Sequence, residues 1–139
     1  MSWITPKTNW KHISDTEGDF FMTDDYNRIK GNINYLRELS SKVFRTFSIA
    51  DMGPDKEEHE WPFADEINKL SDNLEVIVAN TYPIDIGQKV VYEDGGPFID
   101  FEELNRIESA CLRIYDNLNR IKAGKYRLSF RFGARRIHI

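Results

Sequence analysis

The residues able to act in catalysis or metal binding are few and lie far apart in the sequence. The histidines, His12, His59 and His138, fall in predicted loops or tails, and none has a cysteine or histidine neighbour at metal-ligand spacing. Cys111 occupies a core-facing position of a predicted helix, which favours a buried apolar role over a nucleophile. The acidic run 57–60 does not match a calcium-binding loop. We therefore predict no catalytic residue, no metal site and no cofactor, and a protein that is not an enzyme.

The C-terminal residues combine positive charge with aromatic side chains. Residues 120–139 contain seven basic residues and no acidic one, whereas residues 1–119 carry 12 basic and 23 acidic residues, a net charge of −11. Such a segment either binds nucleic acid through phosphates and stacking, meets an acidic surface of another chain, or packs on its own helices. The protein contacts are favoured because the acidic remainder repels DNA. The candidate assembly contacts are Trp3, Trp10, Tyr126, Arg127, Leu128, Phe130, Arg131 and Phe132.

A short motif, apolar-Asn-basic-apolar, opens each of three helical segments, with intervals of 41 and 37 residues between the asparagines. Aromatic and acidic residues precede it each time, which indicates three similar loop-plus-helix units. The asparagine lies at the edge of the apolar face, where its amide can bond the backbone of a neighbouring loop. The alternative, that these are ordinary surface residues, stays open. The motif residues are Asn27, Arg28, Asn68, Lys69, Asn105 and Arg106.

Three amphipathic helices must position these residues, because apolar side chains recur every three or four positions. Thr23 is the predicted N-cap of the first helix, Pro62 opens the second, and Asp100 with Glu103 has capping-box spacing before the third. Gly124 is the predicted end of the third helix. The stripes are Tyr26, Ile29, Ile33, Leu36, Val43 and Phe47; then Phe63, Ile67, Leu70, Leu74 and Ile77; then Leu104, Ile107, Cys111, Ile114, Leu118 and Ile121.

We predict a mainly α fold, either a three-helix bundle or a long helical hairpin, with a small β element. The β element comprises residues 88–92 and a C-terminal strand over 126–132, where aromatic and basic residues alternate. The chain forms one domain, 1–139, with an N-terminal arm (1–20), three helical units (21–124) and a basic strand or tail (125–139). The near-heptad stripes also suit an intersubunit coiled coil.

Composition favours a globular protein that folds in a cytoplasm. The chain has 139 residues, 40% hydrophobic and 30% charged, and no apolar run long enough to span a bilayer. No charged stretch followed by an apolar one marks a signal peptide at the N-terminus. A single cysteine cannot form an internal disulfide, which agrees with a reducing compartment.

Four sequence pieces, in order, give the chain a family resemblance. They are Pro6 to Trp10 (PKTNW), Phe21 to Lys30 (FMTDDYNRIK), Leu104 to Glu108 (LNRIE) and Arg127 to Gly133 (RLSFRFG). With them the chain resembles small virion proteins of phages infecting Gram-positive bacteria, associated with tail, baseplate or fibre.

The resemblance implies a structural role in a virion after synthesis in the host cytoplasm. The expected partners are other virion proteins or further copies of the chain in a homo-oligomer. The hydropathy favours no membrane partner, and the acidic remainder of the chain disfavours nucleic acid. The resemblance brings no active-site residues. The alternative function is a nucleic-acid-binding or regulatory protein that uses the basic, aromatic tail.

Overall fold

The computed structural model describes the backbone of residues 3–11 and 20–135, with side chains as far as residue 125. Within these ranges the chain forms three α-helices and no strand. The helices are α1 (Thr23–Val43), α2 (Ala64–Asn80) and α3 (Phe101–Arg135). The predicted mainly α class is therefore confirmed.

A carboxylate accepts a hydrogen bond from a backbone N–H at the start of every helix. Asp25 accepts a hydrogen bond from the Met22 N–H at 2.9 Å, and Glu66 accepts one from Phe63 N–H at 2.9 Å. Asp100 caps α3 by accepting the Glu103 N–H at 3.0 Å, as its capping-box position predicted. The N-cap of α1 is Met22 rather than the predicted Thr23, which lies inside the first turn. Acidic residues in the three first turns also suit the positive ends of the helix dipoles.

The three helices run parallel, and each packs against the other two. Arg28 of α1 bonds Glu108 of α3 near the two helix starts, and Lys125 of α3 bonds the Val43 carbonyl at the end of α1. Arg45, just past α1, likewise reaches Asn80 at the end of α2. Adjacent antiparallel helices would place starts against ends, so the fold is a bundle and not a hairpin. Extended segments must therefore return the chain along the bundle between helices.

The core is built from equivalent positions of the three helices, counted from the motif asparagine. One side chain from each helix occupies each position, and all are less than 5% exposed. Burying such a side chain contributes about 1.5–3 kcal/mol, so these positions account for the packing of the bundle. The sets are Tyr26, Ile67 and Leu104; Ile29, Leu70 and Ile107; Ile33, Leu74 and Cys111; Leu36, Ile77 and Ile114.

The predicted β element is wrong at both of its segments. Residues 88–92 are extended but pair with no strand, and the backbone of residues 126–132 is helical, since α3 continues to Arg135. A strand needs a ladder partner, whereas a helix satisfies its own backbone groups, so alternation alone does not produce a strand. Gly124 does not end α3, because an interior glycine costs a helix only about 1 kcal/mol and the hydrogen bonds continue past it.

Candidate functional site

The motif asparagines bind the backbone of the segments that run between the helices. In each case the side-chain oxygen accepts a backbone N–H while the side-chain nitrogen donates to the carbonyl of the same residue. The amide thereby does for one extended residue what a neighbouring strand would do in a sheet. The pairs are Asn27 with Lys56 (2.7 and 2.8 Å), Asn68 with Tyr92 (2.8 and 2.8 Å) and Asn105 with Trp10 (2.7 and 3.0 Å).

A second asparagine, five positions further along the helix, repeats this contact in α1 and α2. Asn32 exchanges two hydrogen bonds with Ile4 at 3.0 and 2.7 Å. Asn73 does the same with Ala50 at 2.9 and 2.9 Å. Sequence reasoning missed both, although the five-residue interval from the motif asparagine was visible in two of the three helices. In α3 this position is Ala110, and the Arg106 guanidinium instead donates to the Ile86 carbonyl at 3.0 Å.

These contacts arrange the chain as three units around a pseudo-threefold axis. Each connecting segment is bound at two residues that lie six positions apart. The first residue is bound by the helix that follows the segment, and the second by the helix of the preceding unit. Asn27 and Asn68 each hold the segment that follows them, and Asn105 of α3 holds the N-terminal segment, which closes the ring. The three segments thus fill the three grooves of the parallel bundle.

Glu108 is the most buried charge in the grooves, with 1% of its surface exposed. Its carboxylate accepts bonds from the Arg28 guanidinium at 2.8–3.0 Å, from the Lys7 N–H at 3.1 Å and from the Trp10 ring N–H. Burial opposes the charge of Arg28, but hydrogen bonding to Asp25 and the charge of Glu108 outweigh it and raise the Arg28 pKa. Because these donors occupy the carboxylate, its role is to join α1, α3 and the N-terminal segment.

The basic residues of the other two motifs are Arg106 and Lys69. Arg106 pairs with Glu103 and donates to the Ser71 hydroxyl at 3.0 Å, which links α3 to α2. Lys69 lies near Glu66, whose pKa is lowered. Burial works against ionisation of Glu66, but the hydrogen bond from Lys56, the Phe63 N–H and the nearby lysine charges outweigh it. In the motifs of α1 and α3 the backbone-binding asparagine is therefore followed by an arginine that pairs inside the bundle, whereas in α2 the cation that pairs with Glu66 is Lys56.

The groups that sequence analysis considered for chemistry are not assembled into a site. Cys111 is buried, and burial raises its thiol pKa far above the ordinary value, which keeps the sulfur protonated. His59 and the acidic run around it lie in an exposed turn. His12 and His138 lie outside the described residues. Within the described part of the chain, no three histidine, cysteine or acidic side chains are grouped to hold a metal ion.

Five of the ten exposed large hydrophobic side chains among the described residues lie at the end of the bundle where the three helices begin. Phe20, Trp61 and Phe98 each lie seven positions before a motif asparagine, and they are 67%, 55% and 54% exposed. All three line a cavity of about 540 Å³, whose other walls are mostly apolar. We call this surface the apical face. Its remaining lining residues are Lys11, Phe21, Met22, Ile99, Asp100, Phe101 and Leu104.

Two rings of acidic residues belong to the same helix starts. The inner ring, Asp25, Glu66 and Glu103, pairs with Arg28, Lys56 and Arg106 inside the bundle. The outer ring lies one position earlier in each helix and is exposed, and no ion pair involves it among the described residues. The apical face therefore has an apolar aromatic surface with negative charge beside it. The outer ring consists of Asp24, Asp65 and Glu102.

Two of the candidate assembly contacts pack within the chain. Trp10 is 3% exposed, and Trp3 stacks on Tyr115 with ring centroids 4.1 Å apart. The C-terminal candidates lie where the structure describes only the backbone. The aromatic residues noticed before each motif, Phe21, Phe63 and Phe101, are not equivalent: the first is buried, the second exposed, and the third half-buried. The equivalent exposed positions are those of the apical face, which sequence reasoning missed.

Comparison of the chain with protein-family models, curated protein sequences and solved structures found no match. None of the described helical stretches has the length and hydropathy needed to cross a membrane.

Proposed function

We propose that this protein is a non-enzymatic structural component of a phage particle, associated with the tail or baseplate, that acts by binding other proteins. The observation that carries this proposal is the apical face. Large aromatic side chains that are more than half exposed and share one cavity are typical of protein interaction sites. The face is also held by a rigid support, because the grooves behind it are fixed by asparagine and ion-pair contacts.

The placement in a virion rests on the resemblance of the four sequence pieces to small tail, baseplate and fibre proteins. Three of these pieces have a physical role in the described residues. Pro6 to Trp10 lies in a groove segment, and two pieces contain the motif asparagines Asn27 and Asn105. The resemblance therefore includes residues that determine how the units pack, and this is what members of one structural family would share.

Mass spectrometry of purified particles tests this proposal. Particles from a lysate of the bacterium that carries the gene are expected to contain the chain in fixed stoichiometry to the other tail proteins. The variant Trp61→Ala with Phe98→Ala should be made and folded but lost from the particles, since both side chains line the apical cavity. Tyr82→Ala is the matched control, because Tyr82 is 55% exposed near the other end of α2. Absence of the wild-type chain from the particles would contradict the proposal.

Nucleic-acid binding through the basic segment is the second candidate function. The seven basic residues from Arg120 onward, interleaved with aromatic ones, favour it. The net charge of −11 on residues 1–119 opposes it. This function predicts binding to DNA or RNA that weakens steeply as salt is raised and disappears when residues 125–139 are removed. No binding at low salt would eliminate it.

A further inference from the structure

We infer that the apical face binds the C-terminal segment, residues 126–139, of a second copy of this chain, so that copies join head to tail. The inference deepens the proposed function, since it names the partner of the apical face. The two surfaces are complementary in two respects, apolar character and charge.

The apical face and residues 126–135 of the C-terminal segment lie at opposite ends of the described structure. Leu104 lines the apical cavity, and α3 continues from there without a break to Arg135. At 1.5 Å per residue, the 31 residues between them place these ends about 46 Å apart. The four residues after Arg135 extend at most about 14 Å. A chain therefore cannot place its own C-terminal segment in its own apical cavity, and the contact requires a second copy.

The apical cavity and the C-terminal segment match in apolar character. Three of the exposed side chains in the cavity wall are aromatic, and a volume of about 540 Å³ accommodates large side chains. The C-terminal segment continues helix α3 as far as Arg135, so the positions of Tyr126 and Phe130 share one helix face and those of Leu128 and Phe132 share another. Each face therefore offers a pair of large apolar residues to the cavity. Burial of aromatic side chains against one another is the strongest apolar term available at such a contact.

Charge complementarity distinguishes this occupant from others. The outer acidic ring contributes one exposed carboxylate from the start of each helix, while Asp100 and one cation, Lys11, line the cavity itself, so the excess of negative charge comes from the ring. The C-terminal segment carries Arg127, Arg131, Arg135 and Arg136 and no acidic residue. Residues 12–19, the nearest competing part of the chain, contain three acidic residues and only one large apolar residue, Ile13. Their charge would be repelled by the ring, and their composition suits the apolar cavity poorly.

A contact between two different surfaces of identical chains is heterologous, so an open oligomer keeps one free apical face and one free C-terminal segment and can add further copies. The test uses a variant defective at each end of the full chain. Trp61→Ala with Phe98→Ala removes the acceptor, and Arg127→Glu with Arg131→Glu removes the donor. Light scattering of the wild type is expected to give a mass that grows with concentration. Each variant alone should stay monomeric, with association weakened at least about tenfold.

Mixing the two variants gives the decisive readout. One variant retains the donor and the other the acceptor, so the mixture should form one-to-one dimers and nothing larger. Tyr82→Ala should associate as the wild type does. Far-UV circular dichroism and the unfolding midpoint check that every variant is folded. Association that persists in the donor variant, or a mixture that stays monomeric, would overturn the inference.

A photo-crosslinking residue at position 61 identifies the occupant of the cavity directly. Crosslinks to residues 126–139 of another copy support the inference, and crosslinks to residues 12–19 of the same chain overturn it. Failure here is distinguishable from failure of the proposed function. If the chain is monomeric in solution but enters particles only with an intact apical face, the function stands and the self-assembly inference fails.

Discussion

The same threefold repeat supplies polar, hydrogen-bonded residues to the grooves and exposed aromatic residues to the apical face. Seven positions separate Asn68 of the groove from Trp61 of the apical face, and the same spacing holds in the other two units. The groove position is polar and pairs both groups of a neighbouring residue, whereas the apical position is aromatic and left 54–67% exposed. The polar groove residues thus hold the connecting segments against the helices, while the apical aromatic residues remain exposed for binding another protein.

This contrast predicts that substitutions separate into two classes. Changes in the grooves leave buried polar groups without partners and should lower the free energy of unfolding. Changes on the apical face remove exposed surface and should weaken association while leaving that free energy almost unchanged.

Glu108→Ala should be the most damaging single change, lowering the free energy of unfolding by about 3–5 kcal/mol. The substitution leaves the half-buried Arg28 guanidinium and the Trp10 ring N–H without their shared acceptor. Urea unfolding followed by circular dichroism measures the loss. Glu75→Ala is the control, because Glu75 is exposed and pairs only with Lys89 at the surface. Equal losses in the two variants would contradict the account of the groove.

Asn68→Ala should lower the free energy of unfolding by about 1–3 kcal/mol, because both backbone groups of Tyr92 lose their partner. Asn119→Ala provides a matched comparison, since the Asn119 amide bonds only the Tyr115 carbonyl of its own helix. The same urea titration applies to both. Hydrogen exchange at the Tyr92 amide should also accelerate in Asn68→Ala alone. If the two variants unfold alike, the asparagines do not hold the segments.

Alkaline pH should destabilise the bundle through its buried tyrosines. Burial, then the charges of Glu66 and Asp65, raises the Tyr26 pKa to about 12 from 10. The folded chain therefore keeps this proton where the unfolded chain loses it, so its stabilising contribution is complete below pH 10. The contribution is lost as pH rises through 12. Urea midpoints from pH 8 to 11.5 measure the slope.

Tyr26→Phe separates this effect from other alkaline changes. The Tyr26 hydroxyl is buried without a hydrogen-bond partner among the described residues, so its removal should stabilise the protein by up to about 1 kcal/mol at pH 7. The variant should also show a shallower decline above pH 10. Tyr82→Phe, at an exposed position, should change neither quantity. If the stability of Tyr26→Phe falls above pH 10 as steeply as that of the wild type, the alkaline loss of stability does not come from Tyr26.

Trp61→Ala should change the free energy of unfolding least, by less than about 0.5 kcal/mol, because its side chain lies mainly in solvent. Its association should nevertheless weaken strongly. A loss of stability comparable to that of Asn68→Ala would show that the apical face is part of the folding core, and the contrast between the two regions would fail.

Helical periodicity was sufficient to predict the three helices and most of their buried positions. Leu104, Ile107 and Leu118 are buried in the structure as the stripe required, and Asp100 caps α3. The parallel direction of the helices could not be predicted, because it depends on extended segments that have no periodic signal. Those segments are held one residue at a time by amides from distant helices, such as Asn105 on Trp10.

The C-terminal segment and the apical face escaped sequence reasoning for different reasons. Alternation over 126–132 suggested a strand, but a helix already in progress needs no partner and continues to Arg135. The apical aromatics recur seven residues before each motif asparagine, yet one of them is a tryptophan and the preceding linkers differ in length. The recurrence becomes visible only when the units are aligned on the hydrogen bonds of the asparagines.

Solution mass by light scattering across a concentration series is the most direct test of the central claim. For the wild type, the account predicts a mass that rises from the 16.3 kDa monomer as concentration increases. For Trp61→Ala with Phe98→Ala, it predicts 16.3 kDa throughout, with an unchanged unfolding midpoint. A wild-type mass of 16.3 kDa at every concentration, or association that survives the double substitution, would contradict head-to-tail assembly through the apical face.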